Sequence, residues 1–230
     1  MLKPWQHEEW CLPEVSSEFV AAMEDVLVLY RQPYDPRYPT VCLDEKPVVL
    51  HADVRPTLPV APERPERRDY EYERCGAANL FMMVAPLAGW RHVEVTERRT
   101  KREYARCLQW LVDVAYPKAK YVCVVQDNLN THIAGALYET FPPAEARRIL
   151  ACLEFHYTPK HGSWLNQAEI ELAIFERGCL SRRVGDQETL RHRVAALEAE
   201  RNAARRTIRW RFTTREARVK LHALYPDLTP

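Results

Sequence analysis

Residues Tyr121–His132 read YVCVVQDNLNTH. The first half, Tyr121–Val125, is almost wholly apolar and rich in β-branched residues. That composition suits a strand buried on both faces of a mixed or parallel sheet. The second half turns polar at once, with Asp127, Asn128, Asn130, Thr131 and His132. Open α/β sheets place their ligand chemistry at the carboxyl ends of strands, so Asp127 is a candidate site residue. An ordinary Asn/Asp turn after a strand would read the same way, and the rest of the chain has to decide.

Upstream, Thr40–Leu43 (TVCL) repeats the pattern as a short apolar strand followed by Asp44, Glu45, Lys46 and Pro47. Val48–Arg68 carries Pro56, Pro59, Pro62 and Pro65 and reads as an exposed loop; Tyr70–Tyr72 begins a strand. Asn79–Ala85 and Trp90–Val95 read as strands joined by Pro86-Leu87-Ala88-Gly89, a hairpin. Thr100 is an N-cap for a helix to Tyr116, with Tyr104, Leu108, Leu111 and Ala115 as its buried stripe. Nearer the start, Phe19, Val20, Met23, Val26, Leu27 and Tyr30 recur at helical spacing. They predict a helix from Glu14 to Arg31, ended by Pro33, Pro36 and Pro39.

Downstream, a short helix is expected over Ile133–Thr140, and Pro142-Pro143 opens another to Leu150. Cys152–Tyr157 reads as a strand and Thr158–Ser163 as a loop. Trp164–Arg177 reads as a helix ended by Gly178. Asp186 caps a long charged helix to Arg206, Thr207–Phe212 is strand-like, and Thr214 caps a last helix before Pro226. No internal repeat or low-complexity segment interrupts this order.

The net charge of +1 hides an asymmetry. Arg177–Lys220 holds 13 Lys/Arg against 5 Asp/Glu, a net of +8, so the remainder carries −7. A basic segment beside an acidic body points to a polyanionic partner; a pair of solvated Arg-rich helices would share the composition. The seven cysteines form no CxxC pair. They read as buried, reduced thiols of an intracellular protein, neither a disulfide set nor a zinc site. His132, His156 and His161 also lack tight zinc-ligand spacing. With 47% apolar residues a core is within reach, while no run of about 18 apolar residues suggests a membrane span and the N-terminus does not read as a signal peptide.

Two acids thus follow buried strands, and neighbouring strands would set Asp44 beside Asp127. Carboxylates about 4 Å apart repel by roughly 4 kcal/mol at an effective dielectric near 20. Such a cluster needs a shared proton or a cation, and hard Mg2+ or Mn2+ ions suit oxygen ligands. A third acid would come from Glu169, Glu171 or Glu176. Glu169 and Glu176 share a helix face and Glu171 lies about 160° round from Glu169, but apolar residues surround this helix and the stripe does not choose among them.

CLDEKP around Asp44, VVQDNLNTH around Asp127 and HGSWLNQAEIE around Glu169 together resemble the DDE transposases of bacterial insertion sequences, in the branch related to the mariner transposons. The resemblance spans Trp5 to Pro226. It implies an α/β, ribonuclease-H-like, retroviral-integrase-like mixed sheet flanked by helices. It also implies Asp44, Asp127 and Glu169 as catalytic ligands for two Mg2+ or Mn2+ ions, with Glu171 a structural neighbour. The implied function is metal-dependent DNA cleavage and strand transfer moving an insertion sequence. Double-stranded DNA, as element ends and target, would be the partner, and a homodimer the active form. The implied location is the bacterial cytoplasm, at the nucleoid when bound to DNA, with no membrane partner.

For DNA contact the candidates are Asn128, Asn130, His132, His161, Trp164, Arg205, Arg206 and Arg209. Asn128, Asn130 and His132 could equally serve the turn or orient Asp127. Trp164 could stack on a base or sugar or be buried beneath the helix start, and Trp210 reads as core. The expected domains are 1–39 (N-terminal helix and linker), 40–180 (catalytic core) and 181–230 (basic C-terminal extension). Family members usually carry helix-turn-helix modules ahead of the core, yet only 43 residues precede Asp44. The chain is therefore expected to be the catalytic half. The alternative is a truncated, non-catalytic DNA-binding or dimerising remnant that regulates an intact transposase.

Overall fold

A computed structural model describes residues 16–226. Trp5, Trp10, Cys11 and the start of the first expected helix lie outside the described residues. The sheet has five strands: β1 (Thr40–Asp53), β2 (Tyr72–Ala85), β3 (Trp90–Thr96), β4 (Val122–Gln126) and β5 (Leu153–Tyr157), in the order β3-β2-β1-β4-β5. β1, β2 and β3 pair antiparallel, while β4 runs parallel to both β1 and β5. All five residues of β4 are buried, as its apolar run required.

Period-two alternation sends the strands' side chains to two separate cores. One contains Cys42, Leu80, Met82, Val84 and Val125, and is covered by α1 (Ser17–Tyr30), α5 (Ala168–Cys179), α6 (Gln187–Ala203) and α7 (Thr214–Lys220). The other contains Val41, Leu43, Phe81, Met83, Val122 and Val124, beneath α2 (Lys101–Trp110, extended by a π-turn at Leu111–Ala115), α3 (Gly135–Thr140) and α4 (Pro143–Leu150). Thr100 and Glu103 form a capping box at the start of α2, and Asp186 caps α6 by accepting from the Thr189 N–H (2.7 Å).

Several local expectations are corrected. β1 does not stop at Leu43 but continues to Asp53, so Asp44 lies within the strand and Val48–Asp53 is not loop. Val48 and Leu50 are buried and Val49 exposed, the alternation of a half-buried strand. Pro47 is tolerated because β4 pairs only with the start of β1, leaving the strand a free side there. Gly178 does not end α5 but sits inside it; a Cβ there would meet Leu197 Cδ2 of α6 at 2.7 Å, so the glycine serves helix approach. α6 stops at Ala203, and Arg205 follows with a left-handed φ of 44°. Thr207–Phe212 joins no sheet. It lies extended on the first core, seating Ile208, Trp210 and Phe212 and donating the Ile208 N–H to the Pro86 carbonyl (3.0 Å). The cap of α7 is Thr213, through a capping box with Glu216.

Candidate active site

The register of the central strands builds the site. Thr40, Val41 and Cys42 of β1 lie beside Cys123, Val124 and Val125 of β4. Two residues further on, Asp44 and Asp127 are abreast, and their parity with Cys42 and Val125 turns both toward the face covered by α5. Glu169 stands exposed in the first turn of α5. The start of α5 is tied to the sheet by buried Asn166. Its Nδ2 donates to the Leu43 carbonyl (2.8 Å), one residue before Asp44, and its Oδ1 accepts from the Ala168 N–H (3.1 Å). Tyr30 adds a second tie by donating its hydroxyl to the Leu165 carbonyl (2.8 Å).

Asp44 feels both of the other acids. Burial, followed by the charges of Asp127, Glu45 and Glu169, pushes the Asp44 carboxyl up to about 7 against the opposing Glu45 N–H, which donates to its Oδ1 at 2.8 Å. No basic group is among the main influences on Asp44, and among the described residues it forms no ion pair. Asp127 goes the other way. Burial opposes its ionisation, but the hydrogen bond and charge of His132, the Leu129 N–H and the charge of Arg99 hold its carboxyl below the usual range. Among the described residues, the oxygens of Asp44, Asp127 and Glu169 are not drawn to within 4.8 Å of one another. Their donor set is all oxygen with a net negative field and no internal cation at Asp44, which fits hard divalent ions.

His132 organises the Asp127 side. Its Nδ1 lies 2.6 Å from Asp127 Oδ1 and its Nε2 2.6 Å from Glu45 Oε1, with the imidazole and the Glu45 side chain fully buried. Burial disfavours the imidazolium, yet the hydrogen bonds it donates to both carboxylates raise its pKa to about 9. The Tyr104 ring lies over it at 4.8 Å, and Tyr157 donates to its carbonyl at 3.1 Å. Gln126, also buried, accepts from the Tyr104 hydroxyl at 2.8 Å. Glu45, Tyr104, Gln126, Asn166 and Arg99 were not singled out from sequence. The only available signals were the acid adjoining Asp44 and the Asn within SWLNQAE.

The other two glutamates of α5 have different partners. Glu171 is fully buried; Arg201 donates to it from Nε and Nη2 at 2.8 and 2.7 Å, and buried Arg91 lies 3.3 Å away. Glu176 pairs with Lys46 at 2.8 Å. Of the residues considered for DNA contact, His132 is inside the site. Asn128 donates to the Thr158 carbonyl and lines a cleft with His161, which adopts a left-handed φ of 63°. Asn130 is exposed. Trp164 is not buried beneath the helix start; it is 44% exposed and meets Phe212 edge-on at 5.6 Å. Arg205, Arg206 and Arg209 are exposed beyond α6. Trp210 is partly buried against Tyr30.

A mixed five-stranded sheet between helices, with one acid inside its central strand, one just past the parallel neighbour of that strand and a third on a covering helix, defines a ribonuclease-H-like nuclease fold. The chain belongs to the DDE superfamily endonucleases, whose family model matches residues 39–191. Among solved structures it is similar to the Mos1 mariner paired-end complex with Mn, at 17% identity and a TM-score of 0.57, covering 89% of this chain and 63% of that one. It is also similar to the Mos1 paired-end complex with Mg (16% identity, 99% and 69% coverage, TM-score 0.55) and the Mos1 strand transfer complex (15%, 84% and 59%, 0.55). At these identities the likeness is one of fold. The chain thus spans less than two thirds of the first of these proteins. No curated protein matches it in sequence. Among the described residues, no helix is long and apolar enough to cross a membrane.

Proposed function

We propose that this chain is the catalytic domain of a transposase of a bacterial insertion sequence, acting on double-stranded DNA in the cytoplasm by metal-dependent cleavage and strand transfer. The observation that carries the reading is the strand register that sets Asp44 of β1 abreast of Asp127 after β4 on the face covered by α5, close enough for the charges of Asp127 and Glu169 to add to burial in pushing the Asp44 carboxyl up to about 7. The same three acids would hold two Mg2+ or Mn2+ ions. Bound there, such ions activate the attacking oxygen and stabilise the leaving one in phosphodiester chemistry. Asp127 offers an ionised carboxylate fixed by His132, and Asp44 offers a carboxylate that a cation would strip of its proton. Asn166 ties the start of α5, which carries Glu169, to β1 at the Leu43 carbonyl, one residue before Asp44. The strand-transfer step and a homodimeric active form rest on the Mos1 likeness, since those complexes hold paired ends or transferred strands. The basic stretch from Arg177 to Lys220, net +8, is the surface suited to the DNA backbone.

The test is nicking of supercoiled plasmid by the purified chain with Mg2+ or Mn2+, comparing wild type with Asp127→Asn. Nicking in wild type that disappears in the variant supports the reading. Retained DNA binding with no nicking by either protein would replace it with the regulatory remnant, and nicking without any joining of ends to a target would leave a nuclease.

A further inference from the structure

On the same face of β4 as Asp127, but four residues earlier, lies a second group of metal-ligating side chains. Cys123 pairs with Glu154 across the β4–β5 ladder and Val125 with His156, so Cys123, Glu154 and His156 all face α1. One ligand atom from each lies within 4.8 Å of the others. The His156 ring is held from outside: its Nδ1 is 2.7 Å from Asp25 Oδ2 on α1. Its Nε2 is buried without a hydrogen-bond partner and faces Glu154 Oε1 at 3.4 Å. Cys123 is 6% exposed, while the Glu154 and Asp25 side chains are about half-exposed, at 50% and 52%. The ligands are thus a largely buried sulfur and nitrogen beside a half-exposed carboxylate.

We propose that Cys123, Glu154 and His156 form a binding site for a borderline divalent cation such as Zn2+, with Asp25 as the carboxylate that orients the imidazole. The donor set is that of a zinc site with one position left for water. The Asp25–His156 bond reproduces the carboxylate–histidine–metal arrangement, in which the far ring nitrogen is fixed so that the near one can ligate. Tetrahedral zinc needs its ligand atoms about 3.3–3.6 Å apart; His156 Nε2 and Glu154 Oε1 already meet this at 3.4 Å, and the sulfur has to close by at most about an ångström. That closure is available because Glu154 lies on the edge strand. Burial and the charges of Glu154 and Asp25 push the Cys123 thiol up to about 11, so binding displaces its proton. Along β4 the site lies about 13 Å from Asp127, and it is chemically distinct: sulfur and nitrogen here, oxygen alone there. Its consequence is mechanical, because a bound ion would fasten α1 to the β4–β5 edge through Asp25. A rule of close sequence spacing misses it, because the ligands come from two strands about thirty positions apart.

The test is Co2+ titration of the full chain, freed of metal with a chelator and kept reduced without thiols, followed by Zn2+. The expected result is a near-ultraviolet thiolate-to-Co2+ charge-transfer band saturating at one ion per chain, bleached by Zn2+, with a rise in Tm on Zn2+ addition. Cys123→Ser should abolish the band. Asp25→Asn should keep it and weaken the midpoint about 10–100-fold. Absence of the band in wild type, or its persistence in Cys123→Ser, overturns the proposal. Should Cys123→Ser fail to fold, the half-exposed Glu154→Gln and Asp25→Asn carry the test, and unchanged midpoints in both would also overturn it.

Discussion

Glu169 and Glu171 are two residues apart on α5, and replacing them should break different things. Glu171 is fully buried and accepts three contacts, from Arg201 Nε (2.8 Å), Arg201 Nη2 (2.7 Å) and Arg91 Nη2 (3.3 Å). Arg91 is itself fully buried, and its remaining partners are neutral: Asn202 Oδ1 and the carbonyls of Gly89, Arg201 and Arg206. Glu171→Ala therefore leaves a buried guanidinium without its counter-charge, which costs about 3–5 kcal/mol. For a chain of this length that is a fall in Tm of about 6–20 °C. Urea unfolding should show a lower midpoint with an unchanged slope. Glu169→Gln removes an exposed carboxylate repelled by Asp44, so stability should stay within about 0.5 kcal/mol. Metal-dependent nicking, however, should fall at least a hundredfold, on the order of what removing a metal ligand does. A loss under about 1 kcal/mol for Glu171→Ala would refute the buried-ion argument. Full nicking by Glu169→Gln would refute the choice of third acid.

The raised Asp44 carboxyl keeps a proton in the folded protein that the unfolded chain releases between about pH 4 and about 7, so this group lowers stability as pH rises through that window. In metal-free buffer at pH 8, Asp44→Asn should accordingly unfold at higher urea than wild type, and Mg2+ should stabilise wild type by about 2.7 kcal/mol at a hundred times Kd but not the variant. His92 is raised to about 9; burial opposes this, and the hydrogen bonds and charges of Glu198 and Glu94 outweigh it. Its contribution to stability is complete below about pH 6.5 and is lost as pH rises through about 9, so His92→Gln should be destabilising at pH 6 and nearly neutral at pH 10 in urea melts. Gly89 has φ 66°, and a Cβ there would lie 2.6 Å from the Arg205 carbonyl oxygen. Gly89→Ala should therefore cost at least about 1–3 kcal/mol by thermal melting.

The strands most legible in the sequence were those with the simplest patterns. β4 announced itself as a buried apolar run, and the β2–β3 hairpin by its Pro86–Gly89 turn. The length of β1 was hidden because Pro47 and three charged residues interrupt it, and no local rule shows that β4 ends beside Asp44 and frees that stretch for a proline. Gly178 read as a stop because a glycine near a helix end usually is one; its contact with Leu197 comes from a helix that follows later in the chain. The period-two pattern of Ile208, Trp210 and Phe212 is real, but it marks an extended segment lying on a core with no strand beside it. At the site, the two aspartates could be seen because each follows an apolar run. Glu45 and His132 could not be paired from sequence, since the bond between them joins positions 87 apart.

That bond explains how the fold tolerates its own acid cluster. The charges of Asp127 and Glu169 repel a charge on Asp44, and among the described residues no ion pair relieves it. The site is instead held by groups that do not compete for a cation. Asn166 grips a backbone carbonyl of β1, Tyr30 grips the Leu165 carbonyl, and His132 bridges Asp127 to Glu45 from the buried side. Each neutral tie fixes an acid's position without using up its negative field. His132 is the exception, since its positive charge lowers that field at Asp127. Glu45 offsets this by placing a carboxylate on the far ring nitrogen, so the His132–Glu45 unit orients Asp127 while adding little net charge. Removing Glu45 would take away one of the two carboxylates that hold the imidazolium, leaving Asp127 alone to orient the ring while all three acids stay in place.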